Sequence, residues 1–362
     1  MKLIIQPSDG VAPLVSAVRN AKKSVDIVVF RFDHGAMEAA LKAAVTRGVK
    51  VTALIAWVNR GGVKSLRELE MRFLAAGLTV VRTNDDLIRY HDKFLIIDER
   101  VLYMLSFNFT HLDIEHSRGF GIATGHTKWL QAASELFEAD RSRKQYTPRL
   151  DAFVVSPGNA RKSLGSFLKR AKKQLLIYDP KISDKEMLRI LRERARAGVE
   201  IRVIGRVAGK LDLEVKKLGA MRLHTRTIIR DAHQAFIGSQ SLRAAELDSR
   251  RELGLIIRGS RIVKKLMATF ESDWRRSGAA EQVEGVKEEP RKLEKQDVEE
   301  AAEMLAKQLK PLKATLKKTV KKVVAGAGEV LLEEKTVKDT VKKVVKKAVK
   351  EAVQEVAQET NA

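Results

Sequence analysis

Cysteine is absent from the 362 residues of this chain. That excludes disulfides, a thiol nucleophile and thiolate metal sites, and it fits a reducing compartment. Long apolar runs are missing too. No stretch approaches the roughly 18 residues of a membrane span. The opening "MKLIIQPSDGVAPL" has a single lysine and only three consecutive apolar residues, too few for a signal-peptide core; a cytoplasmic protein is expected. Negative charge is in deficit, with 46 Asp and Glu against 69 Lys and Arg, a net charge of +23. Residues 281–362 are close to balance, with about 18 basic against about 16 acidic residues, so the first 280 residues carry most of the surplus. A surplus of that size favours a polyanionic partner, either nucleic acid or an anionic lipid surface. The alternative is a plain solubility surplus.

What is present is a core-forming chain, 44% hydrophobic, long enough for two or three domains. The first 280 residues repeat themselves. "AKKSVDIVVFRFDHGAMEAALKAAVTRGVKV", from Ala21, aligns without a gap on "AKKQLLIYDPKISDKEMLRILRERARAGVEI", from Ala171, an offset of 150. After a shorter connection in the second copy the offset becomes 133. It then relates His91 to His224, Asp98 to Asp231, Ser106 to Ser239, Arg118 to Arg251, Phe137 to Phe270 and Asp140 to Asp273. This is a two-unit duplication rather than a solenoid of three or more short repeats. Each copy reads as a helix, an apolar strand (Val25–Phe32; Leu175–Asp179), an amphipathic helix (Ala36–Arg47; Lys185–Ala197) closed by Gly48 or Gly198, and a strand (Val49–Ala56; Val199–Ile204). Another helix follows, then the histidine strand, one or two further strands and a closing helix. Alternating strands and helices predict an α/β sheet in each copy, and two copies predict side-by-side packing about a pseudo-twofold axis. The expected divisions are 1–148, 149–279 and a charged tail, 280–362. In the tail, a three-four spacing from Val298 to Val323, interrupted at Pro311, and a second amphipathic stretch, Val337–Val356, predict helices. Their bland reading is a helical hairpin or coiled coil supporting self-association. The sharper one is a surface helix on membrane or nucleic acid. Interspersed acids and missing aromatic anchors favour the former.

The chemistry lies in two matching stretches, "YHDKFLIID" (Tyr90–Asp98) and "LHTRTIIRD" (Leu223–Asp231). If each is a strand, His91 and Lys93 point one way, as do His224 and Arg226. The same holds downstream for Ser106 with Asn108 and for Ser239 with Ser241. Should the two faces meet, the site holds two imidazoles, two cations and several neutral donors, with no obvious metal cage. Such a set suits a phosphodiester. Cations and donors grip the non-bridging oxygens and stabilise charge on the pentacovalent transition state. One histidine attacks phosphorus; the other protonates the leaving oxygen and later activates water or an alcohol. The remaining histidines, His34, His111, His116, His126 and His233, have no partner in the other copy and read as surface or structural residues, with no zinc-like spacing. "GGVKS" (Gly61–Ser65) lacks the full phosphate-loop pattern.

The two frames resemble the phospholipase D superfamily, whose signature is His-x-Lys-x4-Asp followed by Gly-Ser-x-Asn. "HDKFLIID" carries the first part in full, and "LSFN" has Ser106 and Asn108 with Leu105 for glycine. "HTRTIIRD" has Arg226 for lysine, and "GSQS" has Gly238 and Ser239 with Ser241 for asparagine. The resemblance runs from about Lys2 to Arg276. It implies a duplicated α/β sandwich with one active site between the halves, needing no metal or other cofactor. His91 and His224 would then be nucleophile and acid/base, while Lys93, Arg226, Ser106, Asn108, Ser239 and Ser241 would bind phosphate. Asp98 and Asp231 would tie down the motif loops. A family carboxylate that orients an imidazole fits Glu252, reaching across to His91, which favours His91 as the nucleophile. The matching position in the first copy is Gly119, leaving Asp113 or Glu115 as candidate substitutes. The substrate stays open between an anionic phospholipid and a nucleic acid, and a drifted second motif leaves open a module that binds without turning over.

Overall fold

A computed structural model describes residues 1–59, 62–209, 213–219 and 221–279. The tail stretches Val298–Val323 and Val337–Val356 and their proposed self-association lie outside the described residues. The first copy runs β1 (Lys2–Gln6), α1 (Ala12–Asn20), β2 (Ser24–Val29), α2 (Gly35–Thr46), β3 (Lys50–Ile55), α3 (Gly62–Ala75), β4 (Thr79–Arg82), β5 (Arg89–Tyr90), β6 (Phe94–Ile97), β7 (Val101–Leu105), α4 (His111–Glu115), β8 (Ser117–Thr124) and α5 (Thr127–Arg141). The second runs β9 (Phe153–Ser156), α6 (Ala160–Lys169), β10 (Gln174–Ile182), α7 (Lys185–Arg196), β11 (Glu200–Val207), β12 (Glu214–Lys217), β13 (Arg222–Leu223), β14 (Arg226–Arg230), β15 (Gln234–Gly238), α8 (Ala244–Asp248), β16 (Arg250–Arg258), α9 (Ser260–Arg276) and β17 (Gly278–Ala279).

The duplicated α/β architecture is present. One sheet has the order β1-β8-β7-β6-β2-β3-β4 and the other β9-β16-β15-β14-β10-β11-β12, the same order copy for copy, with β17 added at the far edge. Gly48 and Gly198 end α2 and α7 at φ 83° and 82°, the left-handed conformation that a glycine tolerates best. One expected element differs. The helix after β3 is α3, but among the described residues no helix stands between β11 and β12. The drop in offset from 150 to 133 is the loss of that helix.

Three apolar clusters hold the layers. α1, α2 and α3 cover the outer face of the first sheet through Leu14, Val18, Met37, Leu41, Leu69 and Phe73. α6 and α7 do the same for the second through Leu164, Leu168, Met187, Ile190 and Leu191. The central cluster belongs to both copies. Phe94, Phe120, Ile122 and, from α5, Leu136 and Phe137 pack with Tyr178, Leu176, Phe153 and, from α9, Leu266 and Phe270. At about 1.5–3 kcal/mol for each large side chain removed from water, this shared core is strong enough to fix the two sheets as one body. The described residues accordingly belong to one compact unit.

Hydrogen bonding also crosses between the copies. β5 leaves the first copy and pairs in parallel with β16 of the second, Arg250 opposite Arg89 and Arg251 opposite Tyr90. β13 returns the exchange, pairing with β8 through Arg222 with Ser117 and Leu223 with Arg118. Two buried ion pairs of the same symmetry sit beside the exchanged strands. Arg118 Nε lies 2.7 Å from Asp273 Oδ2, and Arg251 Nη2 lies 3.0 Å from Asp140 Oδ1.

Candidate active site

Each motif histidine sits where its exchanged strand ends. His91 follows β5, and its backbone N–H donates to Arg251 O at 2.7 Å. His224 follows β13, and its N–H donates to Arg118 O at 3.1 Å. The histidines are thus delivered to the seam between the sheets by backbone that already belongs to the opposite copy. The expectation that each motif is one unbroken strand is corrected here. The chain breaks at residues 91–93 and 224–225, because the pairing partner changes from one sheet to the other. Ser106 and Asn108 likewise lie beyond β7, and Ser239 and Ser241 beyond β15, in turns rather than strands.

The motif aspartates explain how the hairpins are fastened. Asp98 and Glu99 have φ of 54° and 53°, and Asp231 and Ala232 have 50° and 61°. Two successive positive φ values make the tight turn that suits a twisted hairpin, and Asp tolerates that conformation better than most residues. The Asp98 carboxylate accepts the backbone N–H groups of Lys22, Lys23 and Ser24 at 2.6–3.0 Å. Asp231 accepts those of Lys172, Lys173 and Gln174 at 2.7–3.1 Å. Those donors are the two lysines of each "AKK" segment and the residue that follows, so the two turns are fastened to matching places in the two copies.

At the seam, His91 Nδ1 is 2.9 Å from Glu252 Oε2, and Glu252 is wholly buried. A carboxylate in that place accepts from Nδ1–H and leaves the Nε2 lone pair free. Burial, then Lys93 and Arg226, hold the His91 imidazole well below its ordinary pKa, so the ring is neutral. Burial raises Glu252, and Lys93 and Arg226 oppose it. Lys93 is fully buried; its ammonium donates to the His91 carbonyl and lies over the Phe30 ring, and burial lowers it to about 7. Arg226 donates from Nη1 to His224 O at 2.7 Å and from Nε to Ser241 Oγ at 3.3 Å. Ser106 Oγ accepts the Phe120 N–H at 2.9 Å, and Ser239 Oγ accepts that of Leu253 at 3.2 Å. Both serines therefore hold the motif turn onto the neighbouring strand.

His224 is held differently. Its Nε2 is 3.1 Å from Asp113 Oδ2, and its Nδ1 is 3.1 Å from Arg222 Nη2. A guanidinium only donates, so Nδ1 accepts and Nε2 carries the proton toward Asp113. The two imidazoles are thus neutral in opposite tautomers. Burial lowers His224 to about 4, against the pull of Asp113. Burial alone would raise Asp113; His224, the Asn108 N–H and Arg222 outweigh it and hold it well below the usual carboxylate range. Of the two candidate substitutes for the carboxylate missing at Gly119, Asp113 stands beside His224. Glu115 instead contacts His111 and His34. Gly119 cannot simply regain a carboxylate, because a Cβ there would lie 2.9 Å from the Phe107 ring.

Two residues, Glu246 and Asp92, escaped the motif reading, and Asp113 stood in it only as one of two candidates. Asp113 has a repeat partner, Glu246, at the same offset of 133. Each is buried, and each accepts the backbone N–H of its turn, Asn108 at 2.9 Å and Ser241 at 2.7 Å. The offset was the available signal, obscured by the change from Asp to Glu. Asp92, the variable position of the first motif, is buried with both carboxylate oxygens lacking hydrogen bonds, and burial pushes it up to about 8. Nothing in the motif marks it.

The sequence matches the family described as cardiolipin synthase, PLD-like domain, over residues 14–141 and 164–274. Among solved structures, the chain is similar to polyphosphate kinase from Porphyromonas gingivalis, with 19% identity and a TM-score of 0.64. That match covers 76% of this chain and 50% of the kinase, so the chain spans about half of the kinase's length. A phosphatidylserine synthase from Haemophilus influenzae Rd KW20 aligns with 11% identity and a TM-score of 0.58, covering 86% of this chain and 93% of the synthase. NUC from Salmonella typhimurium, a phospholipase D family member, aligns at 24% identity and a TM-score of 0.36, over 40% of this chain and 93% of its own. No curated protein matches by sequence. At such identities the kinase and the synthase share the fold. Among the described residues no helix is long and apolar enough to cross a membrane.

Proposed function

The chain belongs to the PLD-like domain family, and from that membership we propose that it hydrolyses or transfers phosphodiesters through a phosphohistidine on His91. The observation that carries the reading is the pairing of two buried imidazoles across the seam, each on a carboxylate of its own, with Lys93 and Arg226 beside them. Neutral His91, its Nδ1–H on Glu252, attacks phosphorus from Nε2, and Glu252 balances the charge that the ring gains. Lys93 and Arg226 hold the non-bridging oxygens. His224 gives its proton to the leaving oxygen. Water or an alcohol, deprotonated by His224, then displaces phosphorus from His91 and restores both rings. In the free protein His224 is neutral, so it must first take up a second proton from solvent, stabilised by the arriving phosphodiester anion and by Asp113, and it is this imidazolium that acts as the acid. Its ring must also turn off Asp113 to reach the leaving group.

The positive surplus of residues 1–280 supports an anionic substrate, phospholipid or nucleic acid. A second reading, a site that grips a phosphodiester without turnover, draws on the second copy. There Arg226 is already engaged by Ser241, by the His224 carbonyl and, at 3.8 Å, by Glu246. The test is to offer labelled anionic phospholipid vesicles and single- and double-stranded DNA, quench in base, and search for phosphate on the His91 peptide by mass spectrometry. Cleavage lost in His91→Ala, with a trapped adduct in His224→Ala, is the expected result. Binding without cleavage of every substrate moves the conclusion to the second reading. Unaltered cleavage in His91→Ala removes the nucleophile assignment.

A further inference from the structure

A second cluster of ligating side chains lies on α4, on the face away from Asp113. His111 and Glu115, four residues apart, are about half exposed, and His111 Nδ1 is 3.0 Å from Glu115 Oε1. His34 enters from the turn before α2. It is 4% exposed, yet neither of its ring nitrogens makes a hydrogen bond. Its Nε2 points at the same carboxylate oxygen, 3.5 Å away, and its ring stacks on His111 at 4.2 Å. One ligand atom from each of the three residues lies within 4.8 Å of the others.

We propose that His34, His111 and Glu115 bind a divalent transition-metal ion of the zinc type, at a site separate from the phosphodiester chemistry. Two imidazoles and one carboxylate are donors that such ions prefer over magnesium or calcium. With zinc bonds of about 2.0–2.2 Å, tetrahedral ligands stand roughly 3.3 Å apart. The observed 3.0 Å and 3.5 Å edges bracket that spacing. The remaining closure falls to His111, whose exposed side chain is free to swing, while buried His34 is the fixed anchor. Coordination also gives the buried His34 ring a bond at a nitrogen that makes no hydrogen bond. A cation here sits near the positive end of α2, and the carboxylates of Glu115 and Asp33 offset that; Asp33 already accepts the His111 N–H at 2.8 Å. The ion would clamp α4 to the segment before α2, behind the helix that presents Asp113 to His224.

The experiment titrates the metal-free full-length chain with zinc against a chromophoric chelator, using cobalt as a spectroscopic probe of geometry. One equivalent is expected, together with a Tm rise of about 5 °C at 100-fold excess over Kd. His111→Ala and Glu115→Gln, which alter exposed side chains only, should each weaken binding at least tenfold and abolish the Tm rise; His91→Ala and His126→Ala should bind as the unaltered chain does. No stoichiometric zinc in the unaltered chain, or undiminished binding in both His111→Ala and Glu115→Gln, overturns the proposal. So does loss of binding in His91→Ala alone, which would put the ion on the catalytic pair.

Discussion

Replacing Glu252 by glutamine removes one charge and keeps shape. The carboxylate is wholly buried, 2.9 Å from His91 Nδ1, and it faces Lys93 and Arg226. When His91 takes up phosphorus its ring becomes cationic. A carboxylate and an imidazolium in this contact have charge centres about 4 Å apart, worth about 4 kcal/mol at an effective dielectric constant near 20. At 1.36 kcal/mol per decade, Glu252→Gln should lower kcat roughly 1,000-fold. KM should change little, because the interaction grows only as the transition state forms. Glutamine still accepts from Nδ1–H, and the desolvation relieved offsets part of the attraction to Lys93 and Arg226 that is lost, so the variant should stay folded with Tm lowered by about 5–10 °C. The assay is steady-state release of p-nitrophenolate from bis(p-nitrophenyl) phosphate, with thermal unfolding alongside. A kcat within threefold of the unaltered chain, in a folded variant, refutes the charge-balancing role. Collapse of the fold would show instead that Glu252 is chiefly structural.

Further outcomes follow from the same geometry. Arg118→Met takes from buried Asp273 its cross-seam partner, leaving it the Tyr178 hydroxyl and Arg276, and should cost about 1–3 kcal/mol in urea unfolding; no measurable loss would contradict the role given to that ion pair. His224, lowered to about 4 in the fold, binds fewer protons there than unfolded at an ordinary value near 6.5. Its contribution to stability is therefore complete above about pH 6.5 and is lost as pH falls toward 4, a slope that His224→Gln should flatten in urea midpoints measured against pH. Gly119→Ala drives a Cβ to 2.9 Å from the Phe107 ring and should destabilise by about 1–3 kcal/mol; Phe107→Leu should recover part of that, and strict additivity in the double variant would deny the clash.

Much of the architecture was legible, because a constant offset preserves the order of elements. The drop from 150 to 133 marks a shorter connection in the second copy, but not that a helix is what that copy lacks there. The strand exchange was not legible: Arg89–Tyr90 and Arg222–Leu223 are two residues each, too short to carry a period of two, and pairing across the seam leaves no mark in local pattern. The histidines, Lys93, Arg226 and Glu252 could be placed because a motif names them, although the faces argued from strand geometry were wrong where the chain leaves the strand. Asp113 was one of two candidates and needed the turn around Asn108 to single it out. His34 and His111 come together through the Phe32–Phe109 bridge, a contact between segments distant in the chain that no spacing rule reports.

The exchanged strands bear on how a turnover is paced. A cleft between two lobes commonly opens and shuts by hinging. Here each lobe holds the other by backbone immediately ahead of its reactive ring, by a buried arginine and by a common core. Gaping would break all three together. Arrival and departure of reactants must then proceed along the rim of a seam that stays shut, and gating falls to single side chains, foremost the swing of His224 away from Asp113. Such a rotation moves one side chain rather than a lobe, so the turnover proposed above would not wait on a lid.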